Sequence, residues 1–470
     1  MGFKTKKIKN NKVLFKRSIT YIIGLVFISI ISIFGILIIK NINNFDFNFN
    51  VGNIIGNLKY NIKTEKKQKD QVKILLVGRG GANHSGGELT DSIILASIDF
   101  NKNIVSMLSI PRDLYVKYTD KSYGKINGIY AHYLGIEKNE EKAMQYLENK
   151  ISQITGEKID YYVNIDFTGF KQIVDLLGGV TIEVPETLVD STYPNGRGGY
   201  TTFILKEGTW NIDGETALKY ARSRHSTSDF DRSLRQQKIL SAIKVKLLEE
   251  GYLKNPFKLK ELYNTISPYF TTNIGITGFL KIAADFKDLE ANNNIISLNL
   301  NNSCYYGVSA CQVGGILYTP PMEQFGGASV VLPRGATYYS LEKYSEIQRF
   351  SNIVFNYQKV FTDKQEINIF NSVSVANKAM YLANDLQQFG FYIPEKDSIG
   401  NTDGVVYDKT TIYYNNIGED TETLNALKLF VKGTYVKTEL PKFSKNPNTK
   451  IEIIIGKDFS EITDFDGNKN

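Results

Sequence analysis

Val72-Lys-Ile-Leu-Leu-Val77 is a short apolar block met at once by the glycine-rich stretch Gly78-Arg-Gly-Gly-Ala-Asn-His-Ser-Gly-Gly87. A block of this length bounded by glycine reads as a buried strand. Two further strands follow, Asp91-Ser-Ile-Ile-Leu-Ala-Ser-Ile98 and Ile104-Val-Ser-Met-Leu-Ser-Ile110, and the Asn-Lys-Asn between them predicts a hairpin. Helical spacing then takes over at Ala143, Tyr146, Leu147, Ile151 and Ile154. Residues 161–165 read as strand, 167–177 as a helix stopped by Gly178-Gly179, 181–184 as strand, and 213–220 and 231–250 as helices. Strands interleaved with helices predict an α/β body whose central sheet is flanked by helices. The pattern weakens between about 255 and 345, where Pro320-Pro321 and glycine pairs mark loops. It restarts as strands at 366–370, 391–394, 411–414 and 450–456 around helices at 375–389 and 422–431, a second, small α/β domain.

Toward the N-terminus, residues 19–39 are 21 uncharged, mostly Ile, Leu, Val and Phe positions, and about 20 are needed to cross a hydrocarbon core. Lys4, Lys6, Lys7, Lys9, Lys12, Lys16 and Arg17 precede them with no acid. The positive-inside rule predicts a single-pass protein of the cytoplasmic membrane, N-terminus inside and the bulk of the chain extracytoplasmic. A cleaved signal peptide would have a shorter apolar core and a small-residue cleavage site. The Lys40-Asn-Ile-Asn-Asn that follows favours a retained transmembrane helix. The net charge of +7 gathers largely before residue 70, so it describes the anchor and argues against a nucleic-acid partner. Cys304 and Cys311 either close a small loop or stay as two thiols; neither belongs to a metal-binding pattern. The glycine loop lacks the Gly-Lys-Ser/Thr that opens a helix in a nucleotide-binding loop.

The chain uses lysine as its default cation, 46 against 10 arginines, yet four arginines lie among the 14 residues from Arg222 to Arg235. Arg222 and Arg224 share a face if extended, and Arg232 and Arg235 share a face of the predicted helix, with Gln236 next. Arg112 stands alone after Pro111. A guanidinium binds two phosphate oxygens at once and keeps its charge when half-buried, so the cluster points to a phosphate-rich ligand, against a solvated or ion-paired helix face. Nearby acids are Asp91, Asp113, Asp229 and Asp231, each either an ion-pair partner, a magnesium ligand or a base.

Thr90-Asp91-Ser92, Ser109-Ile-Pro-Arg112-Asp113, Lys125-Ile-Asn127, Ile159-Asp-Tyr-Tyr-Val163, Val174-Asp-Leu-Leu-Gly-Gly-Val180, Asp213-Gly-Glu-Thr-Ala-Leu-Lys-Tyr-Ala-Arg-Ser-Arg-His225 and Asp229-Phe-Asp-Arg-Ser-Leu-Arg-Gln-Gln237 occur in that order. Between about 72 and 250 the chain resembles the LytR-CpsA-Psr family of bacterial cell-envelope proteins, and from about 364 to 460 it is similar to the LytR C-terminal domain. The resemblance implies transfer of an anionic glycopolymer, of the teichoic-acid or capsule kind, from a polyprenyl-pyrophosphate carrier to peptidoglycan through a new phosphodiester. It implies an α-β-α fold with an apolar pocket for the prenyl chain. It implies that Arg112, Arg222, Arg224, Arg232, Arg235 and Gln236 hold the pyrophosphate, with Asp91, Arg112, Arg222 and Arg224 at the catalytic centre, and that Asp91 helps hold Mg²⁺. The family's loop acid after the first strand is absent from Gly78-Arg-Gly-Gly, and Leu89 stands where an arginine is usual, which leaves His84 and Asp113 as further metal candidates. The resulting plan is a basic tail (1–18), a membrane helix (19–39), a linker (40–70), a catalytic domain (71–255), its extension (256–345) and a C-terminal domain (360–460). Rival readings are a non-catalytic sensor of the same lipid or polyanion and a pyrophosphatase. A cytoplasmic part this short cannot hold a DNA-binding fold.

Overall fold

The structure is a computed structural model of the chain. It describes residues 70–81, 84, 86–195, 199–223, 232, 235–236, 238–239, 242–243, 246, 249, 268, 270–274, 294–302, 312–394, 398–441, 443 and 448–459. The expected membrane helix, Arg224, Asp229 and the Cys304–Cys311 loop lie outside these residues. Among the described residues no helix is long and apolar enough to cross a membrane.

In chain order the elements begin β1 (Gln71–Arg79), β2 (Thr90–Asp99), β3 (Ile104–Ser109), β4 (Tyr115–Thr119), β5 (Ser122–Lys125), α1 (Ile129–Glu137), α2 (Glu140–Thr155), β6 (Tyr161–Asp166) and α3 (Phe167–Leu176). Then come β7 (Val180–Val184), β8 (Leu188–Pro194), β9 (Tyr200–Leu205), β10 (Gly208–Ile212), α4 (Gly214–Arg222), β11 (Phe270–Thr272) and β12 (Asn294–Asn299). The last stretch holds β13 (Leu317–Tyr318), β14 (Leu332–Pro333), α5 (Ser345–Asn356), α6 (Lys359–Asp363), β15 (Ile367–Asn371), α7 (Lys378–Gln388), β16 (Ile399–Asn401), β17 (Thr411–Tyr414), α8 (Glu422–Leu427), β18 (Thr434–Lys437) and β19 (Ile451–Ile455). The α/β expectation holds. The chain divides into two compact units: the first takes Met1–Val72, Ile98–Val105 and Ile165–Ile295, the second Lys73–Ser97, Ser106–Asn164 and Ile296–Asn470.

The second unit is built on a sheet in the order β6-β1-β2-β3-β12. From Ile93 to its end, β2 is buried on both faces, as a central strand covered on both sides must be. The Asn-Lys-Asn turn is present, with Asn103 at φ 55°, a left-handed conformation that Asn tolerates. Asn139 caps α2 by accepting from the Lys142 amide at 2.9 Å, and Glu140 and Glu141 complement the positive end of the helix dipole. The apolar face of α2, with Ala143, Met144, Leu147, Ile151 and Ile154, is buried, and α2 packs against α1 and α5. The C-terminal strands form their own sheet, β16-β15-β19-β17-β18, parallel except at β17–β19. Its apolar residues join the same buried cluster: Leu75 and Leu95 run through Leu147, Phe350 and Val354 to Ile369 and Ile453 without a break. One expected strand, 391–394, is not a strand. Phe391 and Ile393 are buried and Tyr392 is exposed, which mimics a strand's alternation. The segment instead wraps the end of α7, its Phe391 amide bonded to the Leu386 carbonyl, before Pro394 removes a donor.

In the first unit α3 and α4 pack together, and β7–β10 and β8–β9 are antiparallel pairs. Both helices start as their sequences predict. Asp166 accepts from the Gly169 amide and Asp213 from the Thr216 amide, each at 2.8 Å. At Gly214 a Cβ would stand 2.4 Å from the Lys171 carbonyl oxygen, so only glycine lets α4 lie this close on α3.

Candidate active site

Within the second unit, three short segments meet at Arg112. Asp91 stands at the start of β2, the Ser109-Ile-Pro-Arg112-Asp113 segment leaves the end of β3, and Lys125 closes β5. The Pro111 turn is fixed by the Leu114 amide on the Pro111 carbonyl at 3.0 Å, and the Asn127 amide bonds the Arg112 carbonyl at 3.3 Å. Arg112 Nη1 donates to Asp91 Oδ1 at 2.5 Å, while its Nε lies 3.5 Å from Asp113 Oδ2. Lys125 Nζ donates to Asp113 Oδ1 at 2.6 Å, and Asn127 Nδ2 reaches Asp91 Oδ1 at 3.5 Å. Thr90 Oγ1 ties the same corner to the Asn127 carbonyl at 3.2 Å. The Arg112 side chain keeps 21% of its surface exposed. The result is a guanidinium clamped by two carboxylates that stays open to solvent on one side, a pre-oriented cation that need not reorganise to meet an anion.

Two cations and two carboxylates balance here, and the carboxylates are mostly engaged. Asp113 gives one oxygen to Lys125 and the other to Arg112. Asp91 uses Oδ1 for both of its bonds, leaving Oδ2 as the oxygen turned to neither partner. Among the described residues no group of three or more His, Cys, Asp or Glu could hold a metal ion. The donors at this corner are carboxylate oxygens, the kind Mg²⁺ takes together with phosphate oxygens, and Asp91 Oδ2 is the one turned to neither partner. The His84 amide donates to the Gly81 carbonyl at 3.0 Å, a loop-closing role for its backbone.

The glycine loop is closed rather than slack. Gly81 N–H bonds the Gly87 carbonyl at 2.8 Å, and a Cβ on Gly87 would lie 1.8 Å from the Gly81 oxygen. Arg79, 8% exposed, donates through Nη1 to both oxygens of Glu88 at 3.3 and 3.1 Å across the loop's neck. The loop's acid is thus Glu88, and it neutralises the loop's own arginine.

In the first unit, Arg222 ends α4 with its guanidinium carbon 4.5 Å from the Phe167 ring centre and 5.7 Å from that of Tyr193, whose hydroxyl accepts from Nη1 at 3.3 Å. Burial pushes the Tyr193 phenol up, and Arg222 beside it pulls the other way. Arg235 is 7% exposed; its Nε donates to the Tyr220 carbonyl at 3.0 Å and its Nη2 to the Ser223 carbonyl. Gln236 Nε2 donates to the Ala221 carbonyl at 3.4 Å. These groups sit on carbonyls that the end of α4 leaves without helical partners. Arg232 is helical and half-buried.

A model of the LytR_cpsA_psr family matches residues 47–319 and one described as LytR cell envelope-related transcriptional attenuator matches 364–459. The chain is 24% identical over 334 residues to the cell wall biosynthesis protein LcpA of Corynebacterium glutamicum, covering 65% of this chain and 59% of LcpA. It is 31% identical over 186 residues to the polyisoprenyl-teichoic acid–peptidoglycan teichoic acid transferase TagT of Bacillus subtilis, covering 39% of this chain and 54% of TagT. The chain thus spans between about half and three-fifths of the length of these curated relatives. Among solved structures, B. subtilis TagV aligns at 24% identity with a TM-score of 0.41, covering 60% of this chain and 98% of that one.

Proposed function

Because the chain belongs to the LytR_cpsA_psr family, we propose that it transfers an anionic glycopolymer from a polyprenyl-pyrophosphate carrier to a hydroxyl of peptidoglycan during cell-wall assembly. The observation that carries this reading is the Arg112 guanidinium clamped by Asp91 and Asp113 yet open on one side. The relatives' names support it, TagT being a teichoic acid transferase and LcpA a cell wall biosynthesis protein. The reading includes the membrane helix at 19–39, with the body outside.

In the proposed reaction the acceptor hydroxyl oxygen attacks the phosphorus next to the glycan. The bond from that phosphorus to the bridging oxygen breaks, and polyprenyl phosphate leaves with the bond's electron pair. The hydroxyl proton passes to a carboxylate base, for which Asp113 and Asp229 are the candidates, Asp91 being taken by the metal. Arg112 neutralises charge on the diphosphate, and Lys125 and Asn127 fix its two carboxylate partners. Mg²⁺, held by substrate phosphates and Asp91, would add Lewis-acid neutralisation of the leaving phosphate. In the first unit, Arg222 on its aromatic seat is the candidate for a phosphate contact, with Arg232 ten residues on. Arg235 and Gln236 act by holding the end of α4 that carries Arg222. The test is to incubate the full chain with a polyprenyl-pyrophosphate glycan and a peptidoglycan acceptor. Release of polyprenyl phosphate with glycan on the acceptor is expected. Release with the phosphate left on free glycan identifies a pyrophosphatase, and binding without release sinks the enzyme reading.

A further inference from the structure

The β4–β5 hairpin has two ends. At its base Tyr115 pairs with Lys125, which holds Asp113; two residues further, about 7 Å along the strand, Lys117 pairs with Tyr123. There a cavity of about 490 Å³ opens, lined by Lys117, Tyr123, Tyr338, Tyr339, Glu342 and Lys343 among others. That volume is in the range of small-ligand pockets, roughly 300–1,000 Å³. Its aromatic side comes from a tight turn. Thr337 and Ser340 exchange backbone hydrogen bonds at 3.0 Å each, so Tyr338 and Tyr339 occupy the two central positions of a hairpin turn, neither with a positive φ. Tyr339 is 95% exposed and Tyr338 and Tyr123 nearly half. The turn is not loose. Tyr339 packs edge-on against Tyr338 (5.4 Å, 90°), Tyr338 against Phe325 (5.5 Å, 72°), and Phe325 against Tyr115 (4.9 Å, 77°). A ladder of rings thus runs from the hairpin base out to solvent and holds the outermost rings apart at right angles.

From this geometry we infer that the cavity is a binding site for the neutral pyranose rings of a glycan strand. A pyranose has a face of C–H groups that lies on an aromatic ring, and a rim of hydroxyls that bond to ammonium, carboxylate and phenol groups; a rigid tyrosine offers both kinds of contact. The charges select a neutral strand over a polyphosphate chain. Lys117 is paired with Asp120 at 2.7 Å, and Glu342 accepts from Gln153 at 3.1 Å and Lys150 at 3.4 Å. Among the described residues the lining holds two lysines, one glutamate and no arginine, so the guanidinium fork that grips phosphate is missing. The inference rests on the transferase reading for its biological sense: the neutral strand is the acceptor side, held one short hairpin from Arg112.

The experiment titrates the full chain with a β-1,4-linked N-acetylglucosamine hexamer and, separately, with poly(glycerol phosphate), by calorimetry. The hexamer binds, Tyr339→Ala weakens it by about ten-fold or more, and Tyr339→Phe retains it. Residue 339 is solvent-exposed, so truncation there leaves the fold alone. Equal hexamer affinity in wild type and a Tyr123→Ala, Tyr339→Ala pair overturns the inference, as does poly(glycerol phosphate) competing for the same tyrosines. An Arg112→Ala chain binds the hexamer as wild type does. If the chain fails to release polyprenyl phosphate while tyrosine-dependent hexamer binding persists, the transferase reading fails and the glycan site stands. Normal transfer by the Tyr123→Ala, Tyr339→Ala pair fails the site alone.

Discussion

Glu452 lies in the middle of β19 with no exposed surface, and neither of its carboxylate oxygens has a hydrogen-bond partner among the described residues. Its cross-strand neighbours are Asn368, whose Oδ1 is also without a partner, and Tyr413. Burial pushes the carboxyl up from 4.5 to about 8, so the folded chain holds a proton at neutral pH that the unfolded chain has lost. The sign follows. Below pH 4.5 both states are protonated and the group has no effect. Between 4.5 and 8 the unfolded state alone ionises, and stability falls with rising pH by up to about 1.4 kcal/mol per unit; above 8 the loss levels off. Across the window this amounts to about 5 kcal/mol for this one side chain. Glu452→Gln keeps the shape and removes the titration. The assay is urea unfolding followed by circular dichroism from pH 4 to 9 for wild type and variant. The variant gains on wild type progressively from pH 5 to 8, by several kcal/mol at the top. A difference that stays constant over this range refutes the argument. Because Glu148, pushed up to about 7 by its own burial, is common to both chains, its contribution cancels in the difference.

Arg112→Lys should cut kcat/KM for polyprenyl phosphate release by about 10²–10³-fold with an unchanged melting curve, because a point charge cannot bridge Asp91 and Asp113 as the fork does. Arg235→Met should lower stability by about 1–3 kcal/mol in urea unfolding, since two carbonyls at the end of α4 lose donors in a buried setting. Gly87→Ala should destabilise the chain by at least about 2 kcal/mol and speed hydrogen exchange at the Gly81 amide, because the loop cannot close with a Cβ at that place.

Much of the architecture was legible because the apolar spacing is clean where burial is one-sided or complete. α2 was readable from its apolar spacing, although Tyr146 proves exposed and Met144 takes its place on the buried face, and β1 to β3 from continuous apolar runs. The β8–β9 pair was not, since its register shifts between Asp190 and Tyr193 and the alternation of Leu-Val-Asp-Ser-Thr-Tyr-Pro breaks there. The segment 391–394 misled for the opposite reason, alternating in burial with a backbone bond from the Ile367 amide to the Tyr392 carbonyl but no strand pairing. At the site, the scarcity of arginine singled out Arg112 and Arg222. Lys125 and Asn127 stood in a recognisable motif but had no visible role, because lysine is the common cation of this chain and carries no signal. Glu88 and Arg79 were invisible as a pair, since nothing local says that a ten-residue glycine loop returns to its own neck. Arg235 and Arg222 are equally rare residues in one cluster, yet one sits on helix carbonyls and the other on aromatic rings, a distinction that depends on burial.

The second unit gathers Lys73–Ser97, Ser106–Asn164 and Ile296–Asn470, and its core passes unbroken from β1 to β19. A chain made from its N-terminus therefore presents its first sheet long before Ile451–Ile455 exists to help close it. Until then β15 and β17 lack the strand that joins them, and the nascent chain is exposed to proteases and to self-association. The order of synthesis thus makes β19 a checkpoint: a chain released before it lacks the strand that pairs with both β15 and β17, and cannot finish this core.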